Sequence, residues 1–235
     1  MKRAFTRDNY LHITNRGFHG IPIVKDDRDK EHFIWTLRYL NDTAYHKYWI
    51  QKARAADAGG HDLPWPEEWG KQEPLVHIFA YTLMPNHFHL LLQPAIENGV
   101  SRFVKSISDS RSKRYNNKYD QKGGLWESSY NVSVVDSDQY LRFLFGYIQV
   151  KNVFELYPDG FKAACENFDE ALQWAKQYQF SSLADHLGEI DQSDVLSQKQ
   201  SPVEFENIKD FKQVAKDSLR YSQAKKLPNT DIHLE

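Results

Sequence analysis

Two apolar, strand-like runs, residues 75–83 and 87–93, meet at Met84-Pro85-Asn86. Pro and Asn suit turn positions, so the pair reads as two strands joined by a hairpin-like turn. The second run opens His87-Phe88-His89 and continues Leu90-Leu91-Leu92. Side chains alternate faces along a strand, which puts His87 and His89 on one face. Two imidazoles on one rigid face can grip one divalent cation. A bare His-x-His is also compatible with two packing histidines, but burying both between leucines is costly unless something satisfies them. An open two-histidine site suits Mg²⁺ or Mn²⁺ phosphate chemistry, or Zn²⁺.

The flanking segments define the rest of the fold. Residues 9–16 read as a strand ending at Gly17. Asp26-Asp27-Arg28-Asp29 open a helix whose apolar stripe is Phe33, Ile34, Leu37 and Leu40. Residues 43–74 read as an insertion, a helix followed by a Pro/Trp-rich loop. Residues 98–118 read as a basic helix with Val100, Phe103, Val104 and Ile107 inward. Residues 130–135 read as a fourth strand, and Asp136-Ser137-Asp138 caps a helix running through Tyr147 to Val150. The order β-α-β-β-α-β-α predicts an α+β fold, a ferredoxin-like split βαβ with an antiparallel sheet. We expect that unit over 1–160 and a helical extension over 161–235. Within the extension, 168–187 is partly helical, 188–202 is a polar linker and 203–221 is one amphipathic helix.

Charge is uneven along the chain. The net charge is −2, so bulk electrostatics do not announce a polyanion partner. Residues 102–122, however, hold seven Lys or Arg and two Asp, while 166–235 hold thirteen acids and eight bases. Arg102, Lys105, Arg111, Lys113, Arg114 and Lys118 alternate with Phe103, Tyr115 and Tyr119 on the basic helix. This is either a solvated face or a phosphate-binding strip. Arg16 at the first strand's end is a further phosphate candidate, and Trp126 and Tyr130 could stack on bases. The single cysteine, Cys165, excludes an internal disulfide and a cysteine zinc site. It fits a reducing cytoplasm. The first residues lack an apolar h-region, and no apolar run is long enough to span a bilayer.

Tyr147 lies mid-helix. A lone tyrosine there is most simply a packing residue. Gly146 beside it costs about 1 kcal/mol relative to Ala, which points to a close approach by a backbone or a ligand. Lys151 falls one turn on, on the same face as Tyr147.

Tyr81-x-Leu83-Met84-Pro85-Asn86-His87-Phe88-His89-Leu90-Leu91-Leu92 resembles the histidine strand of single-tyrosine HUH transposases, and most of all the REP-associated tyrosine transposases. Other segments agree in order. His12-Ile13-Thr14-Asn15-Arg16-Gly17 resembles the first strand, and Gly124-Leu125-Trp126-Glu127 and Val134 to Leu141 resemble the stretch before the catalytic helix. Tyr147-Ile148 resembles the start of the Tyr-Ile-x-x-Asn-Pro motif, and Phe180-Ser181-Ser182-Leu183 a short motif after it. The resemblance implies a metal-dependent transposase of single-stranded or hairpin DNA. His87 and His89 would hold Mg²⁺ or Mn²⁺, and Tyr147 would form a 5′-phosphotyrosine. The enzyme would be a cytoplasmic monomer or homodimer. Two positions depart from the pattern. Lys151 stands where the family has Asn or Gln as third metal ligand, and Val153 stands for Pro. The third ligand then falls to Asn152 or Gln149, or Lys151 takes an electrostatic role on the phosphate. A non-catalytic relative that only binds structured DNA or RNA is the alternative. A metal hydrolase using water, with Tyr147 structural, is a third reading.

Overall fold

A computed structural model describes residues 5–56, 63–188, 194–197 and 201–225. The chain runs β1 (Tyr10–Arg16), α1 (Asp27–Tyr39), α2 (Trp49–Ala56), β2 (Val76–Leu83), β3 (His87–Pro94), α3 (Gly99–Tyr119), β4 (Asn131–Val135) and α4 (Asp138–Gly146). A π-helical turn, Tyr147–Lys151, follows α4 and leads into α5 (Asn152–Phe154). Then come α6 (Gly160–Glu166), α7 (Phe168–Ala175), α8 (Leu183–His186) and α9 (Ile208–Lys225). The predicted 203–221 helix therefore starts and ends later. Parts of the predicted 188–202 linker and of the predicted 43–74 insertion lie outside the described residues.

The four strands form one antiparallel sheet in the order β2-β3-β1-β4. This is the split βαβ arrangement expected of the element order, with α1 and α3 as the two crossovers. Helices α1 and α4 begin at legible stops. Asp26 caps α1 by accepting from the Asp29 amide. Ser137 caps α4 by accepting from the Tyr140 amide.

The sheet is apolar on both faces. On one face Leu11, Ile13, Tyr81, Phe88, Leu90 and Leu92 share a core with Phe33 and Leu37 of α1 and Phe103, Val104 and Ile107 of α3. On the other face Phe79, Ala80 and Leu91 pack against Leu141, Leu144, Phe145 and Ile148. A bulge between Ile78 and Ala80 lets Phe79 and Ala80 both face α4. Behind the π-turn, Val150, Val153 and Phe154 join Phe168, Leu172, Phe211 and Leu219 in a third cluster. Gly146 is explained by this docking. A methyl there would stand 3.2 Å from the Ala215 Cα and the Val214 carbonyl of α9.

Gly17 ends β1 for a similar reason. Its amide donates to the Asn86 carbonyl at 2.8 Å, and a Cβ would overlap the Ile21 carbonyl oxygen. The opposing group is backbone and cannot rotate away. Gly17→Ala should destabilise the protein by about 1–3 kcal/mol, the usual cost of overpacking. Urea unfolding followed by circular dichroism checks this; an unchanged midpoint would show that the turn relaxes freely.

Candidate active site on the β1–β3 face

Register decides which side chains meet. Thr14 and Thr82 flank His89, and Arg16 lies opposite His87. Alternation then puts His12, Thr14, Arg16, Thr82, His87 and His89 on the face covered by α4 and the π-turn. Tyr147 opens that turn and stands over the pair. Its ring centroid is 5.7 Å from that of His89 and 6.4 Å from that of His12. The His87 and His89 rings are 5.0 Å apart and nearly perpendicular. The two histidines and the tyrosine thus converge within one chain.

The π-turn is clamped to β2. The Thr82 hydroxyl donates to the Ile148 carbonyl at 2.5 Å. The Gln149 amide donates to the Ser182 hydroxyl at 2.9 Å, and the same hydroxyl accepts from the Tyr81 amide at 2.9 Å. Backbone bonds from Ser182 N to Tyr81 O and from Leu83 N to Phe180 O extend the edge of β2. The Phe180-Ser181-Ser182-Leu183 segment is therefore a brace that holds the tyrosine's turn on the sheet. Single π-turns inside helices recur at functional sites.

All three histidines are held neutral. Burial pulls His12 and His87 down to about 4. Burial, with His12 and His87 beside it, holds His89 well below the ordinary imidazole range. Neutral imidazoles are the form that ligates metal. His87 Nδ1 lies 2.6 Å from Asn86 Oδ1 and so donates to it. His89 Nδ1 lies 2.9 Å from His12 Nε2. Both Nδ1 atoms are thus engaged, and the Nε2 atoms of His87 and His89 are left for a ligand, the arrangement that protein–metal sites use to orient histidines. The pair offers two nitrogen donors of the kind a divalent ion takes. Among the described residues, no group of three His, Cys, Asp or Glu side chains is placed to hold a metal.

Asn152 is fully buried; its Oδ1 accepts from Lys151 Nζ at 3.5 Å and its Nδ2 has no hydrogen-bond partner. The Gln149 Nε2 donates to Ser182, while its Oε1 is buried without a hydrogen-bond partner. Lys151 instead sits at the tyrosine. Its ammonium is 3.3 Å from the Tyr147 hydroxyl and 3.0 Å from Glu155 Oε1. Burial works to lower the Lys151 pKa, but Tyr147 and Glu155 outweigh it and raise the value, so the ammonium persists.

The basic helix is on the other side of the sheet. Its core residues pack with Leu11, Ile13 and Phe88, away from Tyr147. Of the predicted phosphate-binding residues, Arg16 and Lys151 lie at the site. Arg111 is wholly buried, donates to the Ile23 carbonyl and pairs with Asp29 at 3.1 Å. Its expected phosphate contact is corrected to an internal ion pair, because the guanidinium has no exposed surface. Arg114 and Lys118 also reach Asp29, at 3.3 and 3.1 Å. Lys105 pairs with Asp109 and Arg102 donates to the Thr43 carbonyl, both in solvent. Lys113 is exposed, and with Arg54, Arg114, Lys118, Trp49 and His32 it lines a cavity of about 570 Å³.

His12, Thr82 and Ser182 are the site residues the linear sequence leaves unassigned as such. His12 carries one signal, a histidine between Leu11 and Ile13 in a strand. Only the pairing of β1 with β3 shows which ring it touches.

These features define a class: a four-stranded α+β domain with a histidine strand facing a helix-borne tyrosine. Residues 67–151, which span both histidines and Tyr147, match the family described as IS200-like transposases. No curated protein matches the chain. A solved structure described as a REP-associated tyrosine transposase bound to a REP hairpin is loosely similar, with a TM-score of 0.44 and 10% identity over 88% of this chain and 93% of that one. Among the described residues, no helix is long and apolar enough to cross a membrane.

Proposed function

We propose that this chain cleaves and rejoins single-stranded DNA through Tyr147, with Mg²⁺ or Mn²⁺ held by His87 and His89. The observation that carries the reading is the Tyr147 ring standing 5.7 Å from His89 on a clamped turn of the same chain. His87 and His89 would hold a divalent ion, which would supply charge stabilisation to the scissile phosphate oxygens. The Tyr147 oxygen attacks phosphorus; the new bond is Tyr–O–P and the broken bond is P–O3′. The phenol loses its proton to solvent, and the departing 3′-oxygen gains one. Lys151, an ammonium at the phenol, stabilises the phenolate as it forms. Arg16, at the exposed end of β1 opposite His87, contacts an adjacent phosphate. The product is a 5′-phosphotyrosine with a free 3′-OH, which can later attack the same phosphorus and restore the strand. The resemblance of the 81–92 segment to REP-associated transposases makes hairpin repeats the substrate of choice.

Incubating the protein with single-stranded hairpin DNA and Mn²⁺ tests this. A covalent protein–DNA band on denaturing gels is expected, and it should vanish with EDTA. A second reading is a non-cutting binder of structured nucleic acid. It is favoured by the Lys151–Glu155 pair standing where a neutral third ligand is expected. Tight hairpin binding without any nicking would select it.

A further inference from the structure

We propose that His12 is a positioning residue for the metal site: it fixes His89 as the Nδ1–H tautomer, so that the Nε2 lone pair of His89 is the one presented to the cation. The inference rests on the metal-dependent reading above but concerns a residue outside the His-x-His pair. His12 and His89 are 3% and 5% exposed, so water does not compete for their shared hydrogen bond. Their rings lie 5.1 Å apart and 12° from parallel, with His12 Nε2 2.9 Å from His89 Nδ1. Between two neutral imidazoles one nitrogen must donate and the other accept. If His12 donated, His89 would carry its proton on Nε2, and that nitrogen would be closed to a metal. If His89 donates, its Nε2 is open, and His12 keeps its own proton on Nδ1. His87 already follows the second pattern, donating from Nδ1 to Asn86. Asn86 and His12 then play the same part for two neighbouring ligands, one from the turn and one from the adjacent strand. The sheet makes the second partner rigid. His12 sits mid-strand on β1, paired with Leu91 of β3 on one side and Ser133 of β4 on the other, so its backbone is fixed beside His89.

Nitrogen-15 NMR of the whole chain without metal reads the tautomer directly. The expected result is His89 protonated on Nδ1 and bare on Nε2. A proton on His89 Nε2 overturns the proposal whether or not any variant folds. Mn²⁺ affinity, measured by calorimetry, gives the second readout. His12→Phe removes the acceptor and should weaken Mn²⁺ binding on the order of 10- to 100-fold, the usual effect of losing such a partner. His12→Gln keeps an acceptor oxygen and should recover most of that loss. Equal Mn²⁺ affinity for His12→Phe and wild type overturns the positioning role and leaves the nuclease reading standing. Wild-type protein that takes up no Mn²⁺ overturns both.

Discussion

Tyr147→Phe is expected to abolish covalent attachment to DNA, by at least about 10³-fold, because no other nucleophile replaces a lost one. The ring stays, so the packing against Phe143 and His89 stays with it. Only the hydroxyl and its 3.3 Å contact with Lys151 are removed, which should cost about 0.5–1.5 kcal/mol of stability at most. Hairpin affinity should stay near the wild-type value, since the proposed phosphate contact of Arg16 is untouched. Denaturing gels with end-labelled DNA and Mn²⁺ are the measurement. Adducts that persist at wild-type yield would move the chemistry to another residue. Loss of adduct with continued nicking would mean that water is the nucleophile and the tyrosine is structural.

Asp29→Asn should be the most destabilising single change outside the candidate site. The carboxylate has no exposed surface and takes hydrogen bonds from the Tyr119 hydroxyl at 2.6 Å and the Lys25 amide at 3.1 Å, with Arg111, Arg114 and Lys118 around it. Removing the charge strands a buried guanidinium, and breaking a buried pair in this way costs about 3–5 kcal/mol. The same site predicts a pH dependence. Burial opposes ionisation of Asp29, but the hydrogen bond from Tyr119 and the charge of Arg111 overcome it and hold the carboxyl well below its ordinary range. A depressed folded-state pKa stabilises the protein above the unfolded value, near 3.9, and that contribution fades as pH falls below it. Wild type should therefore lose stability on acidification below about pH 4, while the variant, already lacking the term, loses less there. Urea midpoints at pH 7 and pH 3 decide it. Parallel curves for the two proteins would assign the acid sensitivity to other groups.

The basic helix shows why a site can be legible and its neighbourhood not. Positive charge along 102–118 is plain in the sequence, as is the apolar stripe that buries one side. Nothing in the linear order says which sheet face that stripe covers. The βαβ crossovers place α1 and α3 together on the face carrying Phe88 and Leu90. The histidines alternate to the opposite face. Arg111 shows the further limit. A guanidinium that reads as a phosphate ligand is consumed by an aspartate 82 residues away. By contrast Gly146 was interpretable, since a mid-helix glycine implies close approach, although only the packed structure shows that α9 is what approaches.

Strand alternation and helix period come from local backbone geometry, so the sequence alone determined the four strands, the helix starts at Asp26 and Ser137, and the shared face of His87 and His89. Partners distant along the chain depend on register and on which face each crossover covers, and those are properties of the assembled sheet. Tertiary structure alone therefore decided that His12 meets His89, that Lys151 meets the Tyr147 hydroxyl, and that Ser182 ties the tyrosine's turn to β2.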